Sequence, residues 1–337
     1  MGLVDRAAEE ALAAYGLGDA RIVDSRVGAM RYVGATIHKL RAVGQDGASY
    51  LVSVNEPYDG VEMATRVEFI RSHLLWLESL AHGTNLTVQT PVRNGDGEFV
   101  TLVRGSGDDP EVACTVVEWI AGEGLPDCGD ELPPAHVAEQ MGRILARVHT
   151  HAAEWAIPTS FDRPIHDEAR IRRSFGRLRV FVDSGKLTQE SYERLMAAKA
   201  PVLQMANALG HSRPVWGLGH GDFHNANCVI HDGKLRPIDF DFCYVGHYMR
   251  DVAYAFTLMT IHLDARDTEV RTAFWAGYKG VRAVSDAERD ALEAYFVEVG
   301  VDFWGERPYD DSAAGELATL AESPCRALLG GRRHLTV

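Results

Sequence analysis

The stretch GLGHGDFHNANCVIHDGKLRPIDFDF, residues 217–242, packs three histidines, four aspartates and two asparagines into one short interval. Side chains of these types hold metals and carry protons, and their spacing admits three readings. His220, Asp222 and His224 form an HxDxH run; on a strand, alternate residues share a face and could converge on zinc. Asp222, Asn227 and Asp239 could instead serve phosphoryl transfer. The third reading has no chemistry, only polar residues closing a hairpin.

The hairpin can be read from the residues. A strand over Cys228–Ile230, a turn at His231-Asp232-Gly233 and a strand over Leu235–Asp239 place Asp239 beside the strand start that follows Asn227. Asp222, Asn227 and Asp239 then point into one pocket. Phosphoryl transfer needs one carboxylate to position the attacking hydroxyl and take its proton, and a carboxylate with an amide oxygen to hold Mg²⁺ on the nucleotide phosphates. The zinc reading lacks a second cluster with ligand spacing: His38, His73, His82, His149 and His151 stand apart in the sequence. The hairpin-closure reading leaves the Asp222/Asn227/Asp239 spacing unexplained.

The elements that must position these residues fall into two regions. Residues 1–119 read as a small antiparallel sheet with a helix. β-rich runs cover 21–27, 36–43 and 49–54, the last two joined by the turn signal GQDGA. Val67, Ile70, Leu74 and Leu77 keep helical spacing. PVRNGDGEFVTLV reads as a second hairpin with Asn94-Gly95 and Asp96-Gly97 at its tip, and 111–120 as a last strand. Past the Gly/Pro-rich connector AGEGLPDCGDELPP, residues 120–337 read as helical apart from the quoted stretch.

Composition narrows the partners. The 337 residues are 46% hydrophobic and 24% charged, an ordinary globular balance. With 34 basic and 48 acidic residues the net charge is −14. That argues against nucleic acid or an anionic membrane as partner, since both need basic surface. The acidic amphipathic start lacks the basic, apolar pattern of a signal peptide, and no run approaches a membrane span. Cys114, Cys128, Cys228, Cys243 and Cys325 are scattered, without CxxC spacing, as expected of reduced thiols in a cytoplasmic protein.

HGDFHNAN, IDFDF and GHYMRDVAYAF together resemble the aminoglycoside phosphotransferase and choline kinase-like family, nearest its homoserine kinase and stress-response kinase branches. The segments FIRSHLLWLESLAHGTNLTVQTPVRNGDGEFV, VVEWIAGEGL and MGRILARVH resemble that family's helix-then-hairpin, its hinge and the helix after it. The order Asp222…Asn227…Asp239-Phe240 also has the protein-kinase form of a catalytic-loop Asp, an Asn five residues on and a metal-binding Asp before Phe.

The resemblance implies an α+β, protein-kinase-like fold of two lobes. A nucleotide-binding N-lobe would span 1–119 and a helical C-lobe 120–337. It implies ATP or GTP with its base against the hinge at Glu118–Ile120, Mg²⁺ on Asn227 and Asp239, and Asp222 as the base. Asp241 is a candidate further metal ligand, His220 a brace for the loop, and Asp251 either a helix N-cap or an acid bonded beneath the loop. The acceptor would be a hydroxyl of a small molecule, or alternatively Ser/Thr of a peptide.

Two positions depart from the family pattern. Ser53 stands where the third strand carries a phosphate-binding Lys or Arg, and His73 where the helix carries its partner Glu. Losing both together is consistent, because a lone buried Glu would be unpaired. Lys39 on the preceding strand is a candidate substitute cation. A shifted alignment would make Glu62 or Glu68 the helix acid, and a nucleotide-binding pseudokinase is a third account, opposed by the intact Asp222/Asn227/Asp239 set. The phosphate loop VGAMRYVGAT has only Gly28 and Gly34 and is weak as a motif.

Overall fold

The computed structural model describes residues 2–32, 35–57, 60–105, 107, 109–125, 132–262, 268–306 and 321–334. The chain divides into two compact units, 1–121 with 157–163, and 122–156 with 164–337.

The first unit opens with helix α1 (Leu3–Ala14) and continues through β1 (Arg21–Tyr32), β2 (Ala35–Val43), β3 (Ser49–Asn55), α2 (Met63–Gly83), β4 (Thr101–Val103) and β5 (Val112–Glu118). Its sheet is antiparallel throughout, in the order β1-β2-β3-β5-β4. Strand alternation sorts its side chains. Leu40, Ala42, Val52 and Val54 form a core with Ala7, Ala8, Ala11 and Leu12 of α1. Lys39, Arg41 and Ser53, at the intervening positions, face the other way. The β2–β3 turn is the predicted one: the Gly44 N–H donates to Ala48 O at 2.8 Å, and Asp46 Oδ1 accepts from Ala48 N–H at 2.9 Å. The start of α2 is pinned to the end of β3, where Arg66 donates to Asn55 Oδ1 at 3.1 Å.

The hairpin expected over 91–103 is corrected. Its turn exists, with the Asn94 N–H donating to Glu98 O at 2.8 Å. Its arms do not pair with each other: Pro91 bridges to Val117 and β4 pairs with β5. The Asn-Gly and Asp-Gly signals specify a chain reversal, but the sheet decides which strand each arm joins.

The second unit comprises β6 (Glu123–Gly124), α3 (Pro134–Glu154), α4 (Glu168–Asp183), α5 (Gln189–Leu209), β7 (Trp216–Gly219), β8 (Cys228–His231), β9 (Lys234–Pro237), β10 (Tyr244–His247), α6 (Tyr248–His262), α7 (Thr268–Lys279) and α8 (Asp286–Glu306). Helices α3 and α7 cross closely because glycine allows it. A Cβ on Gly142 would lie 2.0 Å from Phe274 O, and one on Gly277 2.1 Å from Glu139 O. Two small sheets sit among the helices, β10-β7 and β6-β8-β9; the two-residue β6 carries no sequence signal and was not foreseen. Cys114, Cys228, Cys243 and Cys325 are buried free thiols, while Cys128 lies outside the described residues. Among the described residues, no helix is long and apolar enough to cross a membrane.

Candidate active site

The quoted stretch folds as β7, a loop, a short 3-10 turn over Asn225–Asn227, the β8–β9 hairpin and a second 3-10 turn over Phe240–Phe242. The hairpin turns at Asp232-Gly233, both in the left-handed region at φ 50° and 69°. Cys228 pairs with Pro237, and beyond that pair the Ile238 N–H donates to Asn227 O at 3.0 Å. Asn227 and Asp239 therefore lie at the same end of the hairpin. Asp239 does not end the strand as expected: β9 stops at Pro237, and Asp239 follows in the left-handed conformation, φ 65° and ψ 61°. Aspartate tolerates that region better than most side chains, so the backbone re-aims the carboxylate at modest cost.

Asp222 and Asn227 are brought together directly. The Asn227 Nδ2 group donates to Asp222 O at 2.8 Å and to Asp222 Oδ2 at 3.0 Å. This fixes the amide's orientation and turns its carbonyl oxygen away from Asp222. The Tyr254 hydroxyl donates to Asp222 Oδ1 at 2.5 Å. Asp222, Asn227 and Asp239 are each half-buried.

The loop backbone hangs on Asp251, which is fully buried on α6. Its carboxylate accepts the His220 N–H at 2.7 Å and the Gly221 N–H at 2.9 Å, and His149 Nε2 lies 3.1 Å away. Of the two readings of Asp251, the acid beneath the loop is the observed one, since α6 begins three residues earlier at Tyr248. Burial alone would raise the Asp251 carboxyl; the His149 hydrogen bond and the Gly221 N–H reverse this and hold it below its ordinary value. Burial pushes the His149 imidazole down, against the pull of Asp251. A neutral His149 suits its surroundings: Nε2–H donates to Asp251, and Nδ1 accepts the Tyr278 hydroxyl at 2.8 Å.

Gly221 is required where it stands. Its φ is 81°, and a Cβ there would meet Phe242 O at 2.1 Å. His220 is also fully buried, with its ring 4.3 Å from Phe240, and donates from Nε2 to Ile238 O at 3.2 Å. Burial pushes its imidazole down despite Asp251 and Asp222 nearby. It joins the loop to the strand end before Asp239, a brace rather than a proton carrier. Phe240 is buried, as expected of packing.

The zinc geometry does not form. Residues 220–224 are loop rather than strand. His220 turns to Ile238 O, while His224 Nδ1 accepts the Ala226 N–H at 3.2 Å and its Nε2 lies 3.7 Å from Asp222 Oδ1. The second unit does hold a group of ligand-type side chains distant in sequence, His166, Glu298 and Asp302, with ligand atoms within 4.8 Å of one another. Arg250 sits among them, 2.9 Å from Glu298 and 2.6 Å from Asp302, and Arg170 is 3.3 Å from Asp302. Two guanidinium groups balance two carboxylates there, so the group closes as an ion network without net negative charge.

The candidate residues of the first unit have definite places. Lys39 and Ser53 are directly opposed across β2 and β3, so their side chains share the face opposite α1. Arg41 shares that face, with its guanidinium 4.8 Å from the Trp119 ring and 3.3 Å from Ser49 Oγ. Glu118 ends β5 with its side chain exposed and its N–H bonded to Thr90 O at 2.8 Å; Ile120, two residues on, is buried. His73 is buried on α2. Glu68 pairs with Arg71 at 3.5 Å and Glu62 is exposed at the helix start, so neither takes the place of a buried helix acid. Gly28 pairs with Lys39 within β1–β2, and Gly34 lies outside the described residues.

Two residues of the site went unseen in the sequence. His149, grouped among isolated histidines, meets Asp251 across 102 residues, and no local signal could show it. Tyr254 had a faint one, falling three residues after Asp251 on a helix and so on the same face.

Residues 42–295 match the phosphotransferase enzyme family. A homoserine kinase of Neisseria meningitidis serogroup B is 26% identical over 245 residues, covering 70% of this chain and 72% of that protein. Among solved structures, a microcompartment-associated aminopropanol kinase is similar at a TM-score of 0.73 and 21% identity, over 98% of this chain and 100% of that one. An amicoumacin kinase solved with AMP-PNP and Ca²⁺ is similar at a TM-score of 0.64 and 15% identity, over 97% and 96%. The fold is thus the α+β, protein-kinase-like one.

Proposed function

The chain belongs to the phosphotransferase enzyme family, and on that premise we propose that it moves the γ-phosphoryl group of ATP or GTP to a hydroxyl of a small molecule, with Asp222 as the base. The observation that carries this reading is the lock between Asp222 and Asn227, two bonds from one amide nitrogen at 2.8 and 3.0 Å, at the hairpin end that also carries Asp239. The lock sets a carboxylate and an amide oxygen in fixed relation, as in-line transfer requires.

Asp222 orients the acceptor hydroxyl and takes its proton as the oxygen–phosphorus bond forms. The bond from the γ-phosphorus to the bridging oxygen breaks, and the nucleoside diphosphate leaves. The donor set fits Mg²⁺: the Asn227 carbonyl oxygen, turned away from Asp222, and the Asp239 carboxylate are hard oxygen ligands, and this ion rarely takes more than one or two protein carboxylates. When bound, Mg²⁺ would neutralise charge on the β- and γ-phosphates. Glu118 and Ile120 are proposed to meet the nucleotide base, and Lys39, beside Ser53, its phosphates.

For the acceptor, the relatives named for homoserine and aminopropanol support a small amino alcohol. The net charge of −14 is compatible with a cationic acceptor. The test is incubation with Mg-ATP and a panel of hydroxyl acceptors, including homoserine, aminopropanol, aminoglycosides and Ser/Thr peptides, read by the mass gain of one phosphate. Gain on a small amino alcohol, lost on the order of 10²-fold or more in Asp222→Asn, is the expected outcome. Gain confined to peptides would replace the small-molecule acceptor, and near-normal turnover by Asp222→Asn would remove Asp222 from the mechanism.

A further inference from the structure

We propose that Tyr254 is the positioning residue for the Asp222 carboxylate, an inference that rests on the reading of Asp222 as the base. Helix α6 presents Asp251 and Tyr254 one turn apart on one face. Asp251 takes the N–H groups of His220 and Gly221, at 2.7 and 2.9 Å, and the Tyr254 hydroxyl donates to the Asp222 side chain at 2.5 Å. One helical face therefore grips three consecutive loop residues, two by the backbone and the third by its reactive group.

The bond is suited to this task. Tyr254 is only 3% exposed, so its ring cannot swing away and α6 fixes where the hydroxyl sits. A phenol is protonated at neutral pH and can only donate to an ionised carboxylate, and such charge-assisted O–H···O⁻ bonds are the short, strong ones. The two carboxylate oxygens are held from different directions, Oδ1 by Tyr254 and Oδ2 by Asn227 at 3.0 Å. Two donors from separate elements fix rotation about the terminal side-chain bond, which in aspartate is otherwise broad. His224 is a weaker claimant, because its Nε2 lies 3.7 Å from Oδ1 and its Nδ1 is committed to the Ala226 N–H.

Tyr254→Phe removes the hydroxyl and keeps the ring that fills the site. Expected is a fall in kcat of about 10-fold or more, with the nucleotide KM within about two-fold of wild type and the melting temperature little changed. A kcat for Tyr254→Phe equal to wild type overturns the inference. So does a loss of kcat that comes with a raised nucleotide KM and a lowered melting temperature, since the hydroxyl would then be only a structural bond. Asp222→Asn, assayed alongside, separates the two levels. If Asp222→Asn is inactive while Tyr254→Phe is normal, only this inference falls; if Asp222→Asn turns over normally, the base assignment falls with it.

Discussion

The loop around Asp222 and the strand pair carrying Lys39 and Ser53 are built on opposite plans. In the loop, each group has its conformation imposed from several sides. Gly221 cannot accept a Cβ, Asp239 is held left-handed, and Asp251 gathers two backbone amides and an imidazole. On the strands, the pairing register sets position: Lys39 opposes Ser53, and Ser53 opposes Thr115. An over-determined loop tolerates few changes of residue. A sheet face brings side chains of two neighbouring strands close together, because directly opposed Cβ atoms lie about 4.5–5.5 Å apart. On the proposed assignment, that difference would let the chain keep Asp222, Asn227 and Asp239 while Ser53 stands where the family resemblance expects a lysine.

The largest effect should come from undoing the loop's anchor. Asp251→Ala strands the His220 and Gly221 amides and the His149 imidazole in a fully buried site. With three donors left without their acceptor, at about 1–3 kcal/mol each, the expected cost is several kcal/mol of unfolding free energy, measured by urea denaturation, together with loss of turnover. A cost within about 0.5 kcal/mol, the range of an ordinary surface change, would show that the loop is not built as described.

The proposed metal ligands, Asp239 and Asn227, sharpen the picture. Asp239→Asn is the cleaner substitution, since asparagine also tolerates the left-handed backbone while the charge is lost. It should raise the Mg²⁺ concentration needed for half-maximal rate by on the order of 10-fold. Asn227→Ala removes the proposed neutral ligand and should weaken metal dependence less. It also frees Asp222 Oδ2, so its effect should fall more on kcat. Equal and parallel effects of the two changes would break the division of labour between them.

A pH experiment probes the same bracing. His149 and His220 are both held neutral by burial, below the ordinary histidine value of 6.5. In the unfolded chain they protonate near that value, so below pH 6.5 the unfolded state binds more protons than the folded one. Their contribution is therefore fully present above pH 6.5 and is lost as pH falls towards the lower folded values. The melting temperature should drop on acidification from pH 7 to 5. His149→Gln, which cannot titrate, should show a shallower drop; an unchanged slope would mean that His149 is not part of the acid response.

How much of this could be read in the sequence follows from distance along the chain. Asp222, Asn227 and Asp239 fall within 18 residues, and hairpin arithmetic is enough to bring the last two to one end. The β2–β3 pairing was legible for the same reason, with its turn signal between its two arms. The His149–Asp251 contact spans 102 residues and the Tyr254–Asp222 contact 32; the first depends on how α3 meets α6, the second on how the loop seats against α6. The misassigned hairpin at 91–103 lies between these cases: its turn was local and correct, its pairing was tertiary. The ion network of Arg250, Glu298 and Asp302 joins α6 to α8 and left no spacing to read.

The smallest effect, and the most direct test of the comparison, lies on the strands. If the pairing register sets the proposed phosphate-facing position, a cation should serve from either strand. Lys39→Ala should raise the nucleotide KM by about 5-fold, worth about 1 kcal/mol, as expected for one partly exposed charge pair. Arg41 is the internal control: it shares the face of Lys39 and its guanidinium lies against Trp119 and Ser49, so Arg41→Ala should leave the nucleotide KM nearly unchanged. The decisive variant moves the charge one strand over. Lys39→Ala combined with Ser53→Lys returns a lysine to the directly opposed position and should recover most of the lost affinity. Recovery would show that the sheet face, and not a particular residue, supplies the cation. No change on Lys39→Ala would instead leave the phosphates to Mg²⁺ and backbone amides, and Lys39 would be an ordinary strand lysine.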